Sequence, residues 1–140
     1  MFPNVTSLFS IFEGCERLSS IDLSPFVGAP ISIMEGAFFG CNVETIDLTP
    51  LASATGISNM RYVFYGCVKT KTIIAPWAIA PTVDSTSFGN STSNYTGRNS
   101  YNTGANKLYV PSGATGYDSS DWKSTLCNSS KCGFTLSATL

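Results

Sequence analysis

Three times the chain writes an aromatic residue, one variable residue, and then Gly-Cys: Phe12-Glu13-Gly14-Cys15, Phe38-Phe39-Gly40-Cys41 and Phe64-Tyr65-Gly66-Cys67. The cysteines fall 26 residues apart both times. A fixed period of this length marks a repeat array, in which one supersecondary unit buries its apolar face only against the next. The copies run over residues 5–25, 31–50 and 57–76.

Aligned on the cysteine, Val5, Ile31 and Ile57 coincide, as do Leu8, Met34 and Met60, then Ile11, Ala37 and Val63. With Phe12, Phe38 and Phe64 they give apolar residues at i, i+3 and i+4, the stripe of a short amphipathic helix. Thr6, Ser32 and Ser58 precede it as capping residues, and Gly14, Gly40 and Gly66 end it. The spacing therefore predicts about two helical turns per copy.

Past the cysteine the period changes to two. Ile21-Asp22-Leu23 and Ile46-Asp47-Leu48 alternate like half-buried strands, and Thr72-Ile73-Ile74 stands at the matching place. Pro25, Pro50 and Pro76 close the strands. Anchoring the third strand on its proline puts Ile74 in the core set with Ile21, Leu23, Ile46 and Leu48. The outward rows are then Ser20, Thr45, Lys71, Lys107 and Asp22, Asp47, Ile73, Tyr109.

A fourth copy begins at Val83, and Ser87-Phe88-Gly89-Asn90 echoes the signature without its cysteine. Residues 85–106 are almost all Ser, Thr, Asn and Gly, a composition that buries too little to offset its ordering entropy, and read as a surface insertion. Residues 107–140 read as a last strand and a C-terminal cap. Lys107-Leu108-Tyr109-Val110-Pro111 restores the strand, residues 118–126 suit one short helix, and Phe134-Thr135-Leu136 alternates like a final strand. One domain is expected: 1–84 three repeats, 85–106 the insertion, 107–140 the cap.

The repeat resembles the BspA-like leucine-rich repeats of bacterial cell-surface proteins. The residues that carry the likeness are Phe12-Glu13-Gly14-Cys15 with Leu18-Ser19-Ser20-Ile21-Asp22-Leu23-Ser24, and Leu108-Tyr109-Val110-Pro111-Ser112-Gly113 at the end. The resemblance spans about residues 5–122. It implies an α/β repeat fold, a right-handed leucine-rich-repeat solenoid of about four coils with short parallel strands, short helices and a C-terminal capping unit. It further implies a non-enzymatic, extracellular or cell-surface recognition and adhesion module that binds a protein or glycan. A structural spacer presenting a neighbouring domain is the alternative. The third strand lacks the aspartate of the first two, so binding properties do not transfer residue by residue.

Composition narrows the chemistry. Net charge is −1 without a basic cluster, which argues against nucleic acid. No apolar run approaches the roughly 20 residues of a membrane helix. Histidine is absent, which removes the commonest general base and zinc ligand. No cofactor is expected. Met1-Phe2-Pro3 leads directly into repeat sequence, so no signal peptide is expected, and an exported protein would be a mature form or a fragment. The first copy has no counterpart to the C-terminal cap, which suggests further sequence before Met1 or self-association through that end.

Cys15, Cys41 and Cys67 read as a column of buried thiols, with a disulfide or metal site as alternatives. Cys127 and Cys132 flank a polar turn and are either a local disulfide or two thiols. Asp22 and Asp47 read as solvated structural carboxylates, against an acid–base pair or a calcium site. Asn4, Asn90, Asn94 and Asn128 match the glycosylation acceptor, which matters only for a eukaryotic source. Tyr95 and Tyr101, among small polar residues, suit either a binding loop or a linker. The candidate ligand-binding residues are thus Lys71, Ile73, Lys107, Tyr109, Tyr95 and Tyr101. An insertion folded over Ile73 and Tyr109 to shield them is the alternative to a binding patch.

Overall fold

The computed structural model describes residues 2–67, 69–84, 87 and 107–117, together with the backbone of Thr135–Ser137. Four three-residue strands, β1 (Thr45–Asp47), β2 (Thr72–Ile74), β3 (Lys107–Tyr109) and β4 (Thr135–Ser137), form one parallel sheet in chain order. Ile46, Ile73 and Leu108 occupy one register position, and all three are buried. The apolar residue that follows each outward position, Leu48, Ala75 or Val110, is buried as well. The strands expected at 107–111 and 134–136 are present as Lys107–Tyr109 and Thr135–Ser137, whereas the one expected at Ile21-Asp22-Leu23 is not: that stretch does not join the sheet.

The register corrects the expected assignment in β2. Ile73, not Ile74, pairs with Ile46 and enters the core, so Ile73 is not an outward residue. Thr45 aligns with Thr72 and Lys107, so Lys71 is not in the row with Thr45 and Lys107 either. The reason lies in the proline anchor. In copies 1 and 2 two residues separate the position of Asp22 or Asp47 from Pro25 or Pro50, whereas Ile74 and Pro76 are separated by Ala75 alone. Counted from the cysteine, Ile21 and Ile73 both stand six residues on.

The expected helices are also corrected. Among the described residues there is no α-helix, only two 3₁₀ turns, Ser24–Phe26 and Thr49–Leu51, placed after the strand rather than before it. The stretch before each cysteine is a chain of tight turns whose amides alternate in use. In copy 1 the N–H groups of Leu8, Ser10, Phe12 and Gly14 donate to the carbonyls of Ile33, Glu35, Ala37 and Phe39 at 2.8–3.0 Å. The amides between them close local turns: Ile11 to Leu8, Glu13 to Ser10, Cys15 to Phe12. Copy 2 repeats the pattern, with Met34, Gly36, Phe38 and Gly40 donating to Asn59, Arg61, Val63 and Tyr65. An α-helix needs each amide for its own preceding turn, and here half of them join neighbouring copies. Positive φ at Ser10 and Gly14, Gly36 and Gly40, Tyr62 and Gly66 likewise excludes a right-handed helix. Left-handed residues four apart give a turn period close to 3.6, and over two turns the apolar stripe does not distinguish them.

The core fills the space between the turns and the strands. Phe12, Phe38 and Phe64 form a column, with ring centroids 5.9 and 5.8 Å apart and planes within 5°. Cys41 and Cys67 are buried free thiols and Cys15 a half-buried one. Cys41 Sγ donates to the Cys15 carbonyl at 3.6 Å, and Cys67 Sγ to the Phe38 carbonyl at 3.0 Å. Two further links cross the copies. Trp77 Nε1 donates to the Leu51 carbonyl, and the Tyr117 hydroxyl donates to the Trp77 carbonyl. Burial pushes the Tyr117 hydroxyl up from its ordinary pKa, in keeping with a phenol that stays a donor.

The fourth copy does begin where its sequence echo places it. Val83 is buried, the Phe64 amide donates to the Ser87 carbonyl, and Ser87 Oγ donates to the Met60 carbonyl. The expectations for residues 88–106, Cys127, Cys132, the helix at 118–126 and the acceptor sites Asn90, Asn94 and Asn128 lie outside the described residues.

Candidate functional site

The outward face of the sheet is set by the pairing. One row runs Thr45, Thr72, Lys107, and the next runs Asp47, Ile74, Tyr109. Thr45, Asp47 and Lys107 are exposed, while Thr72, Ile74 and Tyr109 are half-buried. An outward β-branched aliphatic residue thus adjoins a tyrosine and a lysine, but the aliphatic residue is Ile74. Lys71 is exposed one step before the row and sits 3.5 Å from Glu44 across the copies. Of the residues singled out from sequence, Lys107 and Tyr109 share this face, Ile73 does not, and Tyr95 and Tyr101 lie outside the described residues.

Asp22 and Asp47 perform the same structural task. Each side chain accepts the backbone amide two residues on, from Ser24 and Thr49, at 2.9 Å, which fixes the bend into the 3₁₀ turn that follows. The bonds from the Ser24 backbone and then its hydroxyl hold the Asp22 carboxyl below its ordinary pKa. A carboxylate stabilised in its charged form is poorly suited to act as a general acid. Among the described residues no group of three or more Cys, Asp or Glu side chains is arranged to hold a metal. No described helix is long and apolar enough to cross a membrane.

Two features were missed from sequence. The first is an aromatic group on the turn side. Phe39 stacks on Tyr65 at 5.1 Å, Tyr62 meets Tyr65 edge-on at 5.6 Å, and the Arg61 guanidinium lies 5.6 Å from the Tyr62 ring centre. Arg61 also pairs with Asp84 at 3.9 Å, and Asn59 donates to Glu35 at 2.8 Å. Two members, Phe39 and Tyr65, fill the variable position of the repeat signature, which was the available signal. The second is an apolar cavity of about 310 Å³ lined by Ala54, Ile57, Trp77, Ile79, Ala80 and Pro81 among others. Ile79 is 76% exposed beside it, and its backbone bridges Thr115.

No family model, curated protein or solved structure matches the chain.

Proposed function

We propose that the chain is a BspA-like leucine-rich-repeat solenoid that works as a non-enzymatic recognition or adhesion module at the cell surface or outside the cell. Its ligand is a protein or glycan, bound on the outward sheet face around Lys107, Ile74 and Tyr109. The observation that carries this reading is the parallel register, which sets an aliphatic side chain, a tyrosine and a lysine side by side on one face. Tyrosine gives rigid contact area and is enriched where interfaces concentrate their binding energy, and a lysine at the rim adds steering. The face is a shallow ladder of short strands, whose form suits a broad macromolecular surface better than a small substrate that needs enclosure.

The test is an array of glycans and candidate host proteins probed with the intact chain, followed by the variant carrying Lys107→Ser, Ile74→Thr and Tyr109→Ser. Binding should fall at least about tenfold in the variant, the effect of losing roughly 1.4 kcal/mol at a hot spot. Binding unchanged by the three substitutions removes this face as the site. An intact chain that binds nothing on the array favours the spacer reading.

A further inference from the structure

The first copy differs from the second in how much of its core face is covered: Leu8 and Leu23 are as buried as Met34 and Leu48, but the other core positions are more open. Ile11 is 40% exposed, whereas Ala37 and Val63 are fully buried. Leu18 is 39% exposed, whereas Val43 and Thr70, the residues at its place before the strand, are about 1% exposed. Val5, Phe12, Cys15 and Ile21 are half-buried where their counterparts in copy 2 are buried.

The backbone at this end has a polarity. In copy 2 the carbonyls of Ile33, Glu35, Ala37 and Phe39 accept amides from copy 1, and in copy 3 the carbonyls of Asn59, Arg61, Val63 and Tyr65 accept amides from copy 2. The equivalents in copy 1 are the carbonyls of Ser7, Phe9, Ile11 and Glu13. None of the four accepts a hydrogen bond within the described structure. The end therefore presents a row of acceptors beside an apolar strip of Val5, Ile11, Phe12, Leu18 and Ile21.

We infer that this end is a docking surface for one kind of occupant: a polypeptide segment of the same repeat pattern, running parallel to copy 1 and presenting alternate backbone amides to the acceptor row. The occupant stands to copy 1 as copy 1 stands to copy 2. It needs left-handed residues four apart, as at Gly36 and Gly40, to turn those amides to one side. A two-fold contact between two such ends sets acceptors against acceptors, so the interface is head-to-tail rather than isologous. This inference is independent of the ligand face proposed above.

The probe is a synthetic peptide carrying residues 29–54 of this chain, which has glycine at both left-handed positions. It is titrated into the intact protein. Saturable binding is expected, with hydrogen exchange slowed at least about tenfold at the peptide amides of Met34, Gly36, Phe38 and Gly40. Alkylation of Cys15, followed by mass spectrometry, should slow to a similar degree. Ile11→Asp or Leu18→Asp in the protein should weaken binding at least about tenfold, since either places a carboxylate in the covered strip. A peptide N-methylated at Met34 and Phe38 lacks two of the donors and should bind at least about tenfold more weakly. Equal binding by the N-methylated peptide overturns the inference, because apolar contact alone would then be the cause. So does the absence of binding, or a head-to-head dimer of the protein that shields Cys15 and ignores the peptide.

Discussion

Copies 1 and 2 have nearly the same pattern and very different surroundings. Phe38 lies between two parallel rings and has no exposure, while Phe12 has a ring on one side only and is half-buried. Copies 2 and 3 are joined on both sides of the core, by the turn amides and by the strand ladder. Copies 1 and 2 are joined on the turn side, and Ile21-Asp22-Leu23 is not part of the sheet. In an array of this kind a residue's stabilising effect depends on its neighbours as much as on its type.

The largest expected contrast is at the phenylalanine column. Phe38→Ala should cost about 3–5 kcal/mol, the range for removing a fully enclosed aromatic side chain. Phe12→Ala removes the same atoms from a half-open site, and the loss should be about half as large. Denaturant unfolding of the two variants measures the difference. Equal losses would break the contrast and mean that copy 1 is as well covered as copy 2.

The thiol column sharpens the contrast. Cys41→Asp places a carboxylate where exposure is nil and should cost about 3 kcal/mol or more, whereas Cys15→Asp should cost less because its position opens to water. In the native protein a thiol reagent should modify Cys15 and spare Cys41 and Cys67. Burial, first among the causes, pushes the Cys41 thiol above 9.0, with the charge at Cys15 acting in the same direction and the amides of Val43 and Asn42 opposing. A raised folded-state value keeps its contribution to stability intact below the unfolded value. That contribution declines as pH rises from about 9 through the folded value, as the unfolded chain ionises first. Rapid labelling of Cys41 at neutral pH would refute its enclosure.

The cysteine spacing made the stacking direction, the phenylalanine column and the thiol positions legible before any coordinates. The open first copy was legible in part: Ile11, Phe12 and Ile21 are exposed or half-buried as their place in the pattern suggested, whereas Leu8 and Leu23 are buried by their own copy and its neighbour. What misled was local punctuation. Pro76 follows its strand one residue sooner than Pro25 and Pro50 do, so an alignment on proline exchanges Ile73 and Ile74 between core and surface. The turns were read as helix because two turns are too short to separate a period of four from 3.6, and Ser10 and Tyr62 conceal the left-handed position that Gly36 reveals. The group of Phe39, Tyr62 and Tyr65 was missed for another reason. It joins residues of two copies, and its one sequence signal, two aromatics at the variable position of the signature, shows only when the copies are compared.

The left-handed position gives a smaller pair of effects, opposite in sign. Gly36 has φ 64°, and a Cβ there would lie 3.1 Å from Ser10 Oγ. Gly36→Ala should therefore cost about 1–2 kcal/mol in backbone strain and crowding. Ser10 holds the equivalent conformation at φ 52°. Ser10→Gly relieves about 1 kcal/mol of that strain and should raise stability by somewhat less, because glycine also gains freedom in the unfolded chain. Thermal unfolding of both variants checks the signs. A destabilising Ser10→Gly would mean that the serine side chain does more in copy 1 than occupy a turn.

The smallest effect concerns the ion pair that joins copies 2 and 3 and has no equivalent between copies 1 and 2. Lys71 Nζ lies 3.5 Å from Glu44 Oε1, and the two side chains are 64% and 74% exposed. At the place of Glu44 copy 1 carries Ser19. A solvated pair of this kind gains little Coulomb energy, and part of that gain is lost in ordering two long side chains. Lys71→Ala should thus lower stability by no more than about 0.5 kcal/mol, and about 1 M salt should abolish the difference by screening the pair. The ladder between β1 and β2 and the buried Ile46 and Ile73 behind it are untouched by the substitution. If the loss is larger and persists in high salt, the lysine stem is packing on the sheet as well as pairing with Glu44. The closer union of copies 2 and 3 would then rest partly on their outer face rather than on the core and ladder alone.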